Sequence, residues 1–243
     1  VRDLVPNDIK VIAKIELKAA IDNIEEILDV ADGVMVARGD LGVQLPLEQV
    51  PFVQKQILDA ANKKGKISIT ATEMLQSMKS SYRPTRAEVT DITNAILEGS
   101  DAVMLSAETS IGDNPNRVVE VMSLICSETD SKNDTTSLLS KENTSEDSIT
   151  TTLARAAVQV ANEVQAKAIV AFTETGRTPL LISNFRPQAE IITFSTKQKT
   201  LNQMNLLWGV IQYPMERKEH FSEMLKSAND FLITEKKYNK DDK

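Results

Sequence analysis

The 243-residue sequence holds a single cysteine and a single histidine. One thiol allows no disulfide within the chain, which suits a reducing cytosol, so a cytoplasmic protein is expected. A zinc site of Cys/His type is excluded by count. Cys126 ends the apolar run Val118–Cys126 and reads as a small core residue, not as a catalytic thiol. His220 falls in a polar segment and reads as a surface residue. A basic excess is also lacking. The net charge of −7 argues against a nucleic-acid partner. It leaves room for a phosphate ligand at a locally positive site. No apolar run approaches the roughly 18–20 residues of a membrane span, so no membrane partner is expected, and the first residues lack a signal-peptide pattern. Val1 is not methionine, which suits a piece of a longer chain.

What is present is ordinary in bulk and patterned in detail. Hydrophobic content of 41% and charged content of 26% are those of a soluble globular protein. Strands are expected at Ile9–Ile15, Val34–Ala37, Ile67–Thr70 and Ala102–Leu105. Helices are expected at Ala19–Val30, Leu47–Lys64, Thr85–Glu98 and Pro115–Glu128. Thr85 and Glu88 have the spacing of a capping box, and Gly65 and Gly99 stand where helices end. Strand-then-helix units of about 30 residues imply a parallel sheet, and four of them make half of a (β/α)8 barrel.

The composition turns polar between Thr129 and Asp147, and a linker is placed at 131–146. It separates a first domain, 1–130, from a second α/β domain with a parallel sheet, 147–243. In the second, helices are expected at Ser148–Gln165, Pro179–Asn184, Lys197–Leu206 and Arg217–Ile233, with strands at Ala168–Phe172 and Glu190–Ser195. Glu235–Lys243 reads as a solvated tail.

Each strand of the first domain ends in polar residues: Lys14 and Glu16, Arg38 and Asp40, Thr70 and Thr72, Ser106 and Glu108. Residues two apart on a strand share a face. Strand carboxyl ends are where parallel α/β folds build active sites, so an enzyme is the leading expectation.

The residues at these ends carry a family resemblance. Ala13–Glu16, Asp32–Val43, Ile69–Met78, Arg83–Val89 and Asp101–Thr109 together resemble pyruvate kinase, in family order. The likeness runs over most of the chain and weakens after Tyr213. It implies barrel strands five to eight, then most of a C-terminal regulatory domain. The first half of the barrel, the lid domain and the last strands of the C-terminal domain would be missing. The implied reaction is phosphoryl transfer from phosphoenolpyruvate to ADP, in glycolysis. A homotetramer is implied when intact. The K⁺ site would lie in the missing half, and this chain alone is expected to be inactive. Half a barrel leaves unpaired strand edges, so the chain alone is also expected to be poorly stable or to self-associate.

The resemblance implies Glu16 and Asp40 as ligands of Mg²⁺ or Mn²⁺, which bind hard oxygens. It implies Lys14 as the phosphoryl-transfer residue, compatible with an ion pair to Glu16. Gly39 and Asp40 would open a turn whose N–H groups meet the substrate carboxylate. Thr72 would stand near the substrate on the proton path to the enolate. Ser106 and Glu108 match a relay in that path, or else form a strand-end hydrogen bond. Arg38 is expected to order the site through ion pairs, and Arg83 and Arg86 to pair with nearby acids. The loop of Thr173, Thr175, Gly176, Arg177 and Thr178 matches a sugar-phosphate effector site, against which Glu174 sets a negative charge. Leu17, Gln44, Glu73 and Ala107 depart from the commonest family pattern. Two rivals stay open: a metal-dependent lyase on a related barrel, and a non-catalytic effector-binding or scaffold protein.

Overall fold

A computed structural model of the chain describes residues 1–6, 8–132, 149–236 and 238–239. It forms two compact units, whose described parts are 1–132 and 149–239. The expected linker lies outside the described residues except for Ser131 and Lys132, as do Ser148 and most of the tail's last residues.

The first unit holds strands β1 (Ile12–Ile15), β2 (Gly33–Ala37), β3 (Ile67–Ala71) and β4 (Ala102–Met104). They lie side by side in chain order and all run parallel. Parallel order follows from the helices that carry the chain back between strands. These are α1 (Lys18–Asp22), α2 (Ile24–Val30), α3 (Arg38–Gln44), α4 (Val50–Lys63) and α5 (Arg86–Leu97). The short α6 (Ala107–Ser110) and then α7 (Pro115–Lys132) follow β4. Parallel strands are covered on both faces. All five residues of β3 are accordingly buried, including Ser68 and Thr70. Their hydroxyls are matched within the sheet layer, Ser68 to Asp101 and Thr70 to Ser100. Gly33 starts β2 because a Cβ there would stand 2.6 Å from the Ile67 carbonyl oxygen.

Several boundaries differ from the expected ones. The single helix over Ala19–Val30 is two, broken at Asn23. There the side-chain amide donates to the Ala19 carbonyl at 2.8 Å, and the backbone leaves helical angles. Helix Leu47–Lys64 starts with a 3-10 turn, Leu47–Gln49. α7 runs four residues past Glu128.

At α5 the capping box is complete. Thr85 Oγ1 accepts the Glu88 N–H, and the Glu88 carboxylate accepts the Thr85 N–H at 2.7 Å. The same carboxylate takes the Ser77 N–H and hydroxyl, each at 2.6 Å. Partial burial works against the charge on Glu88, but these hydrogen bonds outweigh it and hold the carboxyl below its ordinary value. Thr85→Ala is therefore expected to lower the unfolding free energy by about 1 kcal/mol in a urea titration near neutral pH. The pKa of Glu88 is depressed in the folded state. Its own contribution is thus present above the ordinary value of 4.5 and lost as pH falls through the folded one.

The second unit has strands β5 (Ala168–Phe172), β6 (Glu190–Ser195) and β7 (Val210–Pro214), parallel and in chain order. β7 is absent from the sequence-based expectation. Helices α8 (Ile149–Glu163), α9 (Arg177–Asn184) and α10 (Gln198–Met204) accompany them. The last helix, α11, spans Phe221–Thr234, four residues later than the expected start at Arg217. One core gathers Ala154, Val158, Leu181, Phe185 and Ile191. Another gathers Phe194, Tyr213 and Phe231, whose rings lie 4.5–6.1 Å apart.

Candidate active site

Because β1 to β4 are parallel, their carboxyl ends lie along one edge of the sheet. Lys14 is the third residue of β1, and Glu16 follows the strand. Register pairs Ile15 with Val36 and Ala37 with Ala71, which brings the segments after β1, β2 and β3 together. The Lys14 ammonium donates to Glu16 and, at 2.7 Å, to Asp40. Asp40's hydrogen bond, then Glu16's, pushes the Lys14 pKa up to about 12. The bond from Lys14 in turn holds Asp40 below the usual carboxylate range. All three side chains are 40–52% exposed, and ion pairs this open to water contribute little stability. Two carboxylates converging on one cation fit a Mg²⁺ or Mn²⁺ ion. Such ions take one or two carboxylates and leave positions for substrate oxygens and water. Among the described residues no group of three or more His, Cys, Asp or Glu could hold a metal.

Arg38 and Asp40, expected to share a strand face, do not. β2 ends at Ala37 and both residues sit in the first turn of α3. Helical rotation separates residues two apart. Asp40 is exposed and Arg38 is buried. The Arg38 guanidinium donates to both oxygens of Asp91 on α5, at 2.7 and 2.6 Å. It also donates to the carbonyls of Thr72, at 2.7 and 3.2 Å, and Glu73, at 3.2 Å. Arg83 and Arg86 make no ion pair among the described residues, contrary to expectation, whereas Arg38 pairs with Asp91 as expected of an ordering residue. Sequence reasoning missed Asp91; its spacing of three from Glu88 put it on the same helix but named no partner.

Thr72 lies just past β3 with φ +71°, and Glu73 follows with φ +55°. Left-handed angles in two consecutive non-glycine residues cost on the order of 1–3 kcal/mol each, and persist where surrounding structure fixes them. The Thr72 hydroxyl donates to the Ala71 carbonyl at 2.6 Å and accepts the Gly39 N–H at 2.8 Å. Gly39 and Thr72 therefore hold each other. A Cβ on Gly39 would touch Thr72 at ordinary distance, so space does not require the glycine.

Ser106 and Glu108 are not on a strand, since β4 ends at Met104 and α6 starts at Ala107. Glu108 is buried, and its carboxylate accepts the Leu75 N–H at 3.2 Å and the Ser106 N–H at 2.8 Å. The Ser106 hydroxyl is buried and has no hydrogen-bond partner among the described residues.

In the second unit, the segment after β5 is shorter than expected, because Arg177 and Thr178 form the first turn of α9. Gly176 caps that helix with φ +80°, a left-handed angle that suits glycine. The Thr173 hydroxyl accepts the N–H of Gly176 at 2.9 Å and of Thr175 at 3.4 Å. Glu174 pairs with Lys197 at 3.1 Å, which holds its carboxyl below the ordinary value. Beneath lies a pocket of about 140 Å³ walled by Phe172, Phe194, Met215 and Met224.

A parallel β/α array with a lysine, two carboxylates and hydroxyls along the carboxyl ends of its strands has the plan of the barrel enzymes, which bind ligands there. Residues 1–119 match the family model described as pyruvate kinase, barrel domain, and residues 151–243 match pyruvate kinase, alpha/beta domain. The chain belongs to the pyruvate kinase family, as a partial barrel followed by an α/β domain. A pyruvate kinase of Clostridium perfringens is 41% identical over 235 residues, covering 94% of this chain and 50% of that protein. One of Staphylococcus saprophyticus is 43% identical over 222 residues, covering 91% of this chain and 38% of that one. A crystal structure of a pyruvate kinase from Cryptosporidium parvum matches with a TM-score of 0.93 at 38% identity. It is covered to 49%, this chain to 99%. The chain thus spans half or less of these relatives.

Proposed function

We propose that the complete polypeptide to which this chain belongs transfers the phosphoryl group of phosphoenolpyruvate to ADP, giving ATP and pyruvate in glycolysis. The observation that carries this reading is the Lys14 ammonium held between Glu16 and Asp40 at the strand ends. In the transfer, an ADP oxygen bonds to phosphorus and the bond from phosphorus to the enol oxygen breaks. The electron pair stays on that oxygen as an enolate, and a proton added to its terminal carbon gives pyruvate.

Lys14 stays an ammonium at any physiological pH, so it is a fixed positive charge for the moving phosphoryl group and the enolate oxygen. Glu16 and Asp40 are the residues to hold Mg²⁺ or Mn²⁺, whose chemistry is to neutralise charge on the same oxygens. Gly39 and Asp40 present the start of α3 to the substrate carboxylate. Thr72 carries the hydroxyl that serves the proton path, continued by Ser106, while Glu108 fixes the Ser106 backbone. K⁺ would bind in the part of the polypeptide beyond this chain, and four copies would assemble in the cytoplasm. Thr173, Thr175, Gly176, Arg177 and Thr178 are the proposed contacts of a sugar-phosphate effector. Glu174 opposes that ligand, and its pairing with Lys197 partly offsets the opposition. This chain alone is inactive on this reading, because it covers half or less of its relatives.

The test is pyruvate formation from phosphoenolpyruvate and ADP with Mg²⁺ and K⁺. The 243-residue chain is compared with the product of the complete reading frame. Activity only in the longer protein is expected. Activity in the short chain would remove the inactivity claim, and silence from both would remove the proposed reaction.

A further inference from the structure

We infer that Asp91 and Arg38 are positioning residues that set the Thr72 hydroxyl by clamping a strained backbone turn. Three observations meet here. Thr72 and Glu73 both hold left-handed backbone angles with no glycine between them. Arg38 is the side chain that spans the turn, with three hydrogen bonds to the carbonyls of these two residues. Its remaining nitrogen is fixed by both oxygens of Asp91, on a different helix.

A guanidinium has five donors in a rigid plane, so it can grip two adjacent carbonyls and a carboxylate at once, which an ammonium cannot. The Arg38 side chain is 9% exposed, so its charge has little water to fall back on if Asp91 is lost. The grip on the carbonyls then loosens, and the turn relaxes toward ordinary angles. Thr72 Oγ1 would swing away from Gly39, whose N–H it accepts. A displacement of about 1 Å at a reacting group can cost a hundredfold in rate. Asp91 on α5 thus acts on the proposed chemistry through Arg38 and the backbone.

The inference rests on the proposed reaction for its kinetic readout only, and amide exchange at Gly39 reads the clamp independently. In the complete polypeptide, Asp91→Ala is expected to lower kcat about ten- to a hundredfold, with the KM for ADP within roughly twofold. Exchange of the Gly39 N–H should rise about tenfold while the β2 and β3 amides stay protected. Asp91→Glu, which can still reach the guanidinium, should restore most of both. Arg38→Lys is a second variant should Asp91→Ala fold poorly, and is expected to move both readouts the same way. An unchanged kcat with unchanged Gly39 exchange overturns the clamp. So does a lowered melting temperature with neither readout moved. If the parent polypeptide forms no pyruvate, the reaction falls and the Gly39 exchange alone decides the clamp.

Discussion

Glu16→Gln and Asp40→Asn, each made in the complete polypeptide, are expected to cut Mg²⁺-dependent pyruvate formation by at least about a hundredfold. Even partners one step removed from a metal typically cost 10- to 100-fold in affinity or activity, so loss of a ligand carboxylate should not cost less. The amide keeps shape and hydrogen bonding while removing the charge that attracts a divalent ion. Mn²⁺ binding, followed by the paramagnetic signal of the free ion, should weaken in the same two variants. The contrast is Lys14→Gln. It removes the ammonium the two carboxylates share, leaving both free for the ion. Turnover should fall there while Mn²⁺ binding holds or tightens. Since all three side chains are exposed, none of these changes should move the unfolding midpoint by much. Wild-type turnover in Glu16→Gln or Asp40→Asn would sink the metal assignment. Mn²⁺ binding lost in Lys14→Gln would mean that the lysine builds the site instead of competing for it.

Local signals are strongest where one short motif decides the geometry. The Thr85 and Glu88 spacing predicts a capping box, and the structure contains it with both hydrogen bonds. The strands of the first unit also follow from runs such as Val34–Ala37, whose unbroken apolar character matches burial on two faces. β7 is harder to read, because Val210–Pro214 is short, only partly buried and ends in proline. It becomes a strand by pairing with Ile191–Ser195, a context that local propensity does not carry. Faces at the site fail for a related reason. The rule that residues two apart align holds only inside a strand, and β2 ends one residue before Arg38. From there helical rotation sends Arg38 inward and leaves Asp40 outside. Ser106 and Glu108 fall beyond β4 in the same way. The Arg38–Asp91 link spans 53 residues and has no local signature.

Glu108→Ala is expected to lower the unfolding free energy by about 2–3 kcal/mol, the scale of stranding buried donors. The carboxylate accepts two backbone N–H groups, from Leu75 and Ser106, and is 1% exposed. Truncation leaves both donors without a partner in a space too closed for water to substitute freely. Glu108→Gln keeps one acceptor oxygen but turns an NH₂ toward one of the two amides, so it should lose less than alanine yet remain destabilising. A pure proton relay predicts the opposite pattern: glutamine would abolish turnover at unchanged stability, because only the titratable proton is gone. A scaffold predicts that turnover and stability decline together. It also predicts that Ser106→Ala, which removes a hydroxyl with no described partner, lowers turnover at little cost in stability. Urea unfolding of the three variants beside their kcat values separates the two roles. The burial of Glu108 behind two amides favours the scaffold, and the proposed proton path then rests on Thr72 and Ser106.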